Sequence, residues 1–236
     1  MMNFLGNILG ALLKFVFDMV SAIGTEPAGF SYYAMTIIIT TILFKLILLP
    51  VSFHQSKSTR KMSEIQPKIK EIQTKYKSDP QTQQAKVAAI YKEHNYNPAS
   101  GCLVLLVQMP IILAFFKVMR EPVTFAFKDP AFYEGISKNF FWISNLENSD
   151  PFLWGLPLLA AATTYLQSLT MSTGAATDPQ GQATQKMMNI FLPVMIFMAA
   201  RNFPAGLGLY WVIGNIFTIF QQLISNRSIG KIKEEN

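Results

Sequence analysis

Cysteine is almost absent from this 236-residue chain. Cys102 stands alone, so an intramolecular disulfide and a cysteine-based metal cluster are both excluded. Histidine is nearly as scarce: His54 and His94 are far apart and form no HExxH pattern. Charged residues make up only 14% of the chain, and the long apolar runs contain no Asp or Glu at all. No nucleotide-binding motif occurs. The chain is therefore expected not to be an enzyme, to take no cofactor and to hold no metal.

What is there is apolar and clustered. Half the residues are hydrophobic, gathered into long blocks, which predicts an all-α polytopic membrane protein rather than the alternating strands of a β-barrel. Five spans are expected near 31–53, 101–119, 152–170, 188–203 and 205–225. The fourth is short, since Ile190–Ala200 is its only stretch free of polar side chains, and this implies bilayer thinning or burial in the bundle. Residues 1–25 form a separate amphipathic segment. Asn3, Asn7, Lys14, Asp18 and Ser21 share one face and Phe4, Leu5, Ile8, Leu9, Leu12, Leu13, Val16 and Phe17 the other, which predicts an interfacial helix lying on the membrane, with a sixth transmembrane helix as the alternative. Residues 26–225 make the core, and 226–236 a short basic tail.

Loop charge sets the orientation. Loops 54–100 and 171–187 and the C-terminal tail carry thirteen Lys and Arg, whereas the opposite loops carry five. The positive-inside rule then puts the C terminus in the cytoplasm and, with five spans, the N terminus outside. Within 54–100, Met62, Ile65, Ile69, Ile72 and Tyr76 recur with helical spacing. Asp79 and Pro80 are suited to cap and open a second helix. A basic cytoplasmic helical hairpin is predicted, presenting Lys57, Arg60, Lys61, Lys68 and Lys70.

Lys45 is the residue that asks for a function. It lies within Tyr32–Phe53, an apolar run long enough to cross a bilayer, and no span offers it a carboxylate. A charge near mid-bilayer costs ~2.5–3.5 kcal/mol on insertion scales and marks a functional site by default. It stands about eight residues, ~12 Å, from the cytoplasmic end of its helix, too deep for easy snorkelling. A hydrated cavity open to the cytoplasm is the expected solution. Thr41 and Ser52 flank it in sequence, and Gln108, Thr163, Gln167, Trp211, Asn215, Thr218 and Gln222 give other spans a polar face. Each of these alone is ordinary interhelical hydrogen bonding; four helices with polar faces together exceed that need and could line such a cavity. Pro50, Pro110, Pro157 and Pro193 are expected to bend their spans.

Three segments carry a family resemblance: GLGLYWVIGNIFTIFQQ (Gly206–Gln222), QPKIKEIQTKY (Gln66–Tyr76), and NPASGCL with QMPI (Asn97–Leu103, Gln108–Ile111). In this order, across about 31–225, the chain resembles the YidC/Oxa membrane protein insertases, in particular their short Gram-positive-type members. The resemblance implies five transmembrane helices around a groove open to cytoplasm and lipid, with Gln167 and Trp211 lining it and the 54–100 hairpin needed for activity. It implies nascent membrane proteins and the lipid bilayer as partners, with a Sec translocon and the ribosome as further candidates. The family has an arginine where this chain has Lys45. Lysine keeps the charge and loses the planar, five-donor fork. Two other readings stay open on the residues alone. One is a small secondary transporter or channel, which the missing intramembrane carboxylates disfavour. The other is an assembly scaffold, which would not need a charged groove.

Overall fold

The computed structural model describes residues 2–97, 103–171 and 187–234. Among them regular structure is helical apart from two isolated bridges, Phe30 with Phe140 and Phe140 with Ile143. The helices are α1 (Met2–Ser21), α2 (Tyr32–Ile47), α3 (Leu49–Lys75), α4 (Pro80–Glu93), α5 (Leu103–Arg120), α6 (Pro130–Gly135), α7 (Leu156–Met171), α8 (Leu192–Ala200) and α9 (Ala205–Glu234). Val123–Phe127 and Met187–Phe191 are π-helical. Cys102 and the 172–186 loop lie outside the described residues.

The Tyr32–Phe53 run bends by 58° between α2 and the first part of α3. Pro50 explains the break: it has no N–H to continue the ladder, and its ring clashes with the carbonyl four residues back. Pro110 lies inside α5, as expected. Pro157 corrects the expectation, because it occupies the first turn of α7, whereas Pro193 follows the Met187–Phe191 π-helical turn within one unbroken helical run. A missing N–H is harmless in a first turn, so Pro157 starts its helix instead of bending it.

By length and apolarity α1 from Asn3 to Ser21 and α9 from Ala205 to Ser225 can each cross a bilayer, and the bent α2–α3 pair makes a third candidate. α7 has 16 residues and α8 nine, or ~24 Å and ~14 Å at ~1.5 Å per residue. Both fall short of the ~30 Å hydrocarbon layer.

α1 uses its apolar face differently from the expectation. Leu9, Leu13, Val16 and Phe17 are buried in the bundle core, while Phe4 and Ile8 of the same face stay exposed. Asn3 accepts a 2.7 Å hydrogen bond from Lys117, Lys14 sits over the Phe132 ring, and Phe17 meets Phe127 and Phe132 edge-on. Gly10 is required where α1 crosses the Val123–Phe127 segment, since a Cβ there would collide with the Phe125 carbonyl. These partners, met from Asn3 to Phe17, all lie within 117–132. The part of the molecule that holds these partners is termed here the cap end, and α1 also packs on α2 and α5.

The cap end is dense and its polar groups are paired. Ser31 caps α2 by accepting from the Ala34 N–H at 3.1 Å, and its hydroxyl donates to the Asn139 carbonyl at 2.7 Å. The first N–H groups of α9, which no helical partner can satisfy, are taken by loop carbonyls: Ala205 donates to Asn148 and Gly206 to Leu146. The Tyr133 hydroxyl donates to Glu147 at 2.8 Å, and Lys138 lies 3.2 Å from the same carboxylate. Burial pushes the Tyr133 phenol far above its ordinary range, with Tyr33 adding to the shift, so it holds its proton.

The opposite end carries the hairpin, α3 against α4. Ile65 and Ile69 are 2% exposed and close over Ile90, with Met62, Ile72, Val87 and Tyr91 around them. Asp79 caps α4, accepting from the Thr82 N–H at 3.1 Å, and Pro80 takes the first turn. This is a small core on a long lever.

Candidate functional site

Lys45 lies near the C-terminal end of α2, half-buried against α9. Its Nζ donates to Thr218 Oγ1 at 3.2 Å, and the Thr218 hydroxyl donates in turn to the Gly214 carbonyl at 2.8 Å. Among the described residues no carboxylate pairs with the ammonium. Gly214 makes the space: a Cβ there would sit 3.2 Å from Lys45 Cε and 3.8 Å from its Nζ. Gly214 and Thr218, one turn apart on α9, form a notch for the lysine stem. Thr41 belongs to the same contact through its methyl group, about one turn before Lys45, while its hydroxyl is occupied by the Ile37 carbonyl at 2.6 Å. Ser52 falls beyond the bend, in α3.

Thr163, Gln167, Trp211 and Asn215 gather elsewhere, at the seam between α7 and α9. With its nitrogen toward Gln167 Oε1 at 2.6 Å, the Asn215 amide accepts through its oxygen from Thr163 Oγ1 at 3.1 Å and from the Trp211 indole N–H at 3.3 Å. Thr164 joins the same oxygen at 2.9 Å. A turn further on, Thr170 donates to Gln222 at 2.7 Å. Trp211, Asn215 and Gln222 present one stripe of α9, and Gly214 and Thr218 the stripe beside it. α9 thus holds the lysine on one flank and a polar zipper on the next.

Gln108 makes a third contact. Its Nε2 donates to the Tyr210 hydroxyl at 3.0 Å, and the Tyr210 ring stacks on Phe115 with centroids 4.1 Å apart. The eight expected groove residues therefore divide into three clusters that all meet α9. In the hairpin, Lys57, Lys68 and Lys70 are exposed and Lys61 is half-buried. Lys68 Nζ lies 3.0 Å from His94 Nε2. The Arg60 side chain lies outside the described residues.

Gly214, Thr164 and Tyr210 were missed in the sequence. Tyr210 and Thr164 sit beside residues that were singled out, so helical adjacency was the available signal. Gly214 had none, because its importance rests on a lysine distant in sequence.

Long apolar helices, with Ile190, Val194, Met198, Leu166 and Phe220 exposed on the outer surface, define a multi-pass α-helical membrane protein. The comparisons agree. The family profile described as 60Kd inner membrane protein matches residues 26–233. Membrane protein insertase YidC of Clostridium perfringens is 36% identical over 236 residues, covering 97% of this chain and 94% of its own length. Membrane protein insertase YidC 1 of Listeria monocytogenes is 38% identical over 207 residues, covering 86% and 67%. A crystal structure of an active YidC insertase with its first transmembrane domain resolved matches with a TM-score of 0.63 at 25% identity. It covers 90% of this chain, while the chain spans 44% of that structure's length. The chain belongs to the YidC family of membrane protein insertases, and it is a bacterial multi-pass membrane protein.

Proposed function

We propose that the chain inserts client membrane proteins by drawing a short polar or acidic segment toward Lys45 and releasing the adjoining apolar helix into lipid. The observation that carries this reading is the half-buried Lys45 ammonium, held by one hydroxyl and no carboxylate among the described residues. A neutral hydrogen bond leaves most of its charge uncompensated. An incoming carboxylate offers a stronger, charge-assisted bond and displaces Thr218 without breaking an ion pair. Carrying that carboxylate through bare hydrocarbon would cost many kcal/mol; a polar stop part-way shortens the dry path. Partition of the client's apolar segment into lipid then drives release.

In this reading the hairpin end faces the cytoplasm, as the loop charges require, and the cap end faces outward. α2 with the start of α3, α5, α7, the Met187–Ala200 segment and α9 are the five spans. α1 lies along the outer surface, a placement supported by its contacts with residues 117–132. The short α7 and α8 are matched by a locally thin bilayer. The α7–α9 zipper forms the wall beside the lysine notch, and its amides and hydroxyls can exchange partners with a polar client segment. Nascent membrane proteins and lipid are the partners. The basic hairpin suits anionic lipid or a ribosome, and a Sec translocon is a further candidate partner.

The test is insertion of a short client into vesicles containing only this protein. Lys45→Ala is expected to reduce insertion of an acidic-tailed client about tenfold, equivalent to ~1.4 kcal/mol, and to leave a neutral-tailed client little changed. Lys45→Arg is expected to retain activity. Equal insertion of both clients by Lys45→Ala would favour a scaffold instead.

A further inference from the structure

The loop between α6 and α7 is built to push aromatic side chains outward. Asp150, only 8% exposed, is its centre: it accepts from the Trp142 indole N–H at 3.1 Å, from the Phe152 N–H at 2.9 Å and from the Leu156 N–H at 2.7 Å. Gly155 is required beside it, since a Cβ there would collide with the Asp150 carboxylate. Phe141 adopts φ +48°, a conformation that bulky residues rarely take, and its N–H is fixed on the Gly29 carbonyl at 2.7 Å. These constraints leave Trp154 78%, Phe141 66% and Phe152 56% exposed, with Trp142 and Leu153 beside them.

The same loop hides its charges. Glu147 turns onto Tyr133 and Lys138, and Asp150 onto Trp142 and the backbone. A water-facing loop would be expected to show the reverse, with carboxylates out and aromatic rings in. Phe152, Leu153 and Trp154 also run directly into α7, whose exposed Leu158 and Leu159 begin an apolar flank that faces lipid. Tryptophan at the end of a membrane helix fits the headgroup level, where a large apolar ring and a polar N–H are both accommodated.

We propose that residues 141–154 form a rigid aromatic anchor that seats in the headgroup–acyl boundary of the leaflet at the cap end, with bilayer lipid as its partner. This rests on the membrane placement given above and is independent of the role of Lys45. The chain has three tryptophans, so Trp142→Phe with Trp211→Phe leaves Trp154 as the sole emitter. In reconstituted vesicles its emission is expected to be blue-shifted, strongly quenched by lipids brominated near the headgroup, less by lipids brominated at the chain end, and weakly by aqueous iodide. Iodide quenching matching that of a free tryptophan analogue, with no quenching by brominated lipid, would overturn the anchor and leave the patch to a protein partner. Should the double variant fail to fold, the difference in emission between the unaltered protein and Trp154→Phe isolates the same signal. Client insertion by Trp154→Phe is read in the same vesicles. Insertion without any lipid-quenchable tryptophan signal in the unaltered protein sinks the anchor and spares the insertase reading; lipid quenching without insertion supports the anchor and counts against the insertase reading.

Discussion

The two ends of the molecule are held together by different means. At the cap end a continuous core joins α1, α2, α5, α6, α7 and α9, with Tyr33, Phe115, Leu13 and Ile143 fully buried. Loop carbonyls complete the helix start at α9, and carboxylates are paired. At the other end α2 bends away at Pro50, and order in the hairpin rests on three buried isoleucines. Lys45 sits in the last turn of α2, just before this bend.

Core truncations should expose this difference most strongly. Phe115→Ala removes a fully buried ring stacked on Tyr210 and is expected to cost about 3–5 kcal/mol, lowering the unfolding temperature of the whole bundle in detergent. Ile69→Ala is expected to cost about 2–4 kcal/mol, but locally. Hydrogen exchange should rise along α3 and α4 while α5 and α9 stay protected. Equal loss of protection in the bundle would mean that the two ends fold as one unit.

The lysine notch gives a smaller and more selective effect. Gly214→Ala places a methyl group against Lys45 Cε, and the flexible stem can yield by moving its ammonium off Thr218. Insertion of an acidic-tailed client should fall about threefold, equivalent to ~0.6 kcal/mol, with thermal stability nearly unchanged. A large stability loss with no change in client preference would make Gly214 a packing residue only.

The smallest effect is expected at the hairpin tip. Hydrogen bonds from Thr82, then Gln81, hold the Asp79 carboxyl below its ordinary value of 3.8. Because the folded pKa is the lower one, the cap contributes fully above the unfolded value and its contribution is lost as pH falls through the folded value. Amide exchange in the first turn of α4, corrected for intrinsic rates, should therefore rise only below about pH 4. Asp79→Ala should remove that dependence.

Local signals were legible and long-range ones were not. The Ile65 and Ile69 stripe and the Asp79–Pro80 helix start depend on neighbours a few residues away, so periodicity and capping chemistry reveal them. Lys45 was legible because charge in an apolar run is costly whatever surrounds it. Its partner was not, since the pairing with Gly214 and Thr218 depends on how α2 and α9 meet. The expected groove residues stood out as polar within apolar runs, but the zipper of Asn215 with Gln167 and Thr163 reflects a choice among hydrogen-bond partners that spacing cannot make. Asp150 looked like an ordinary loop carboxylate; its inward turn follows from the return of the loop onto Trp142 and α7.

The central claim, that water reaches the ammonium of residue 45 from the hairpin side, is tested most directly by thiol labelling. With Cys102 replaced by serine, Lys45→Cys in oriented vesicles should react with a membrane-impermeant maleimide added on the hairpin side and be protected from that added on the cap side. A cysteine at position 57 serves as the exposed control. A position 45 thiol that stays unreactive from the hairpin side, while the control labels fully, would contradict the account.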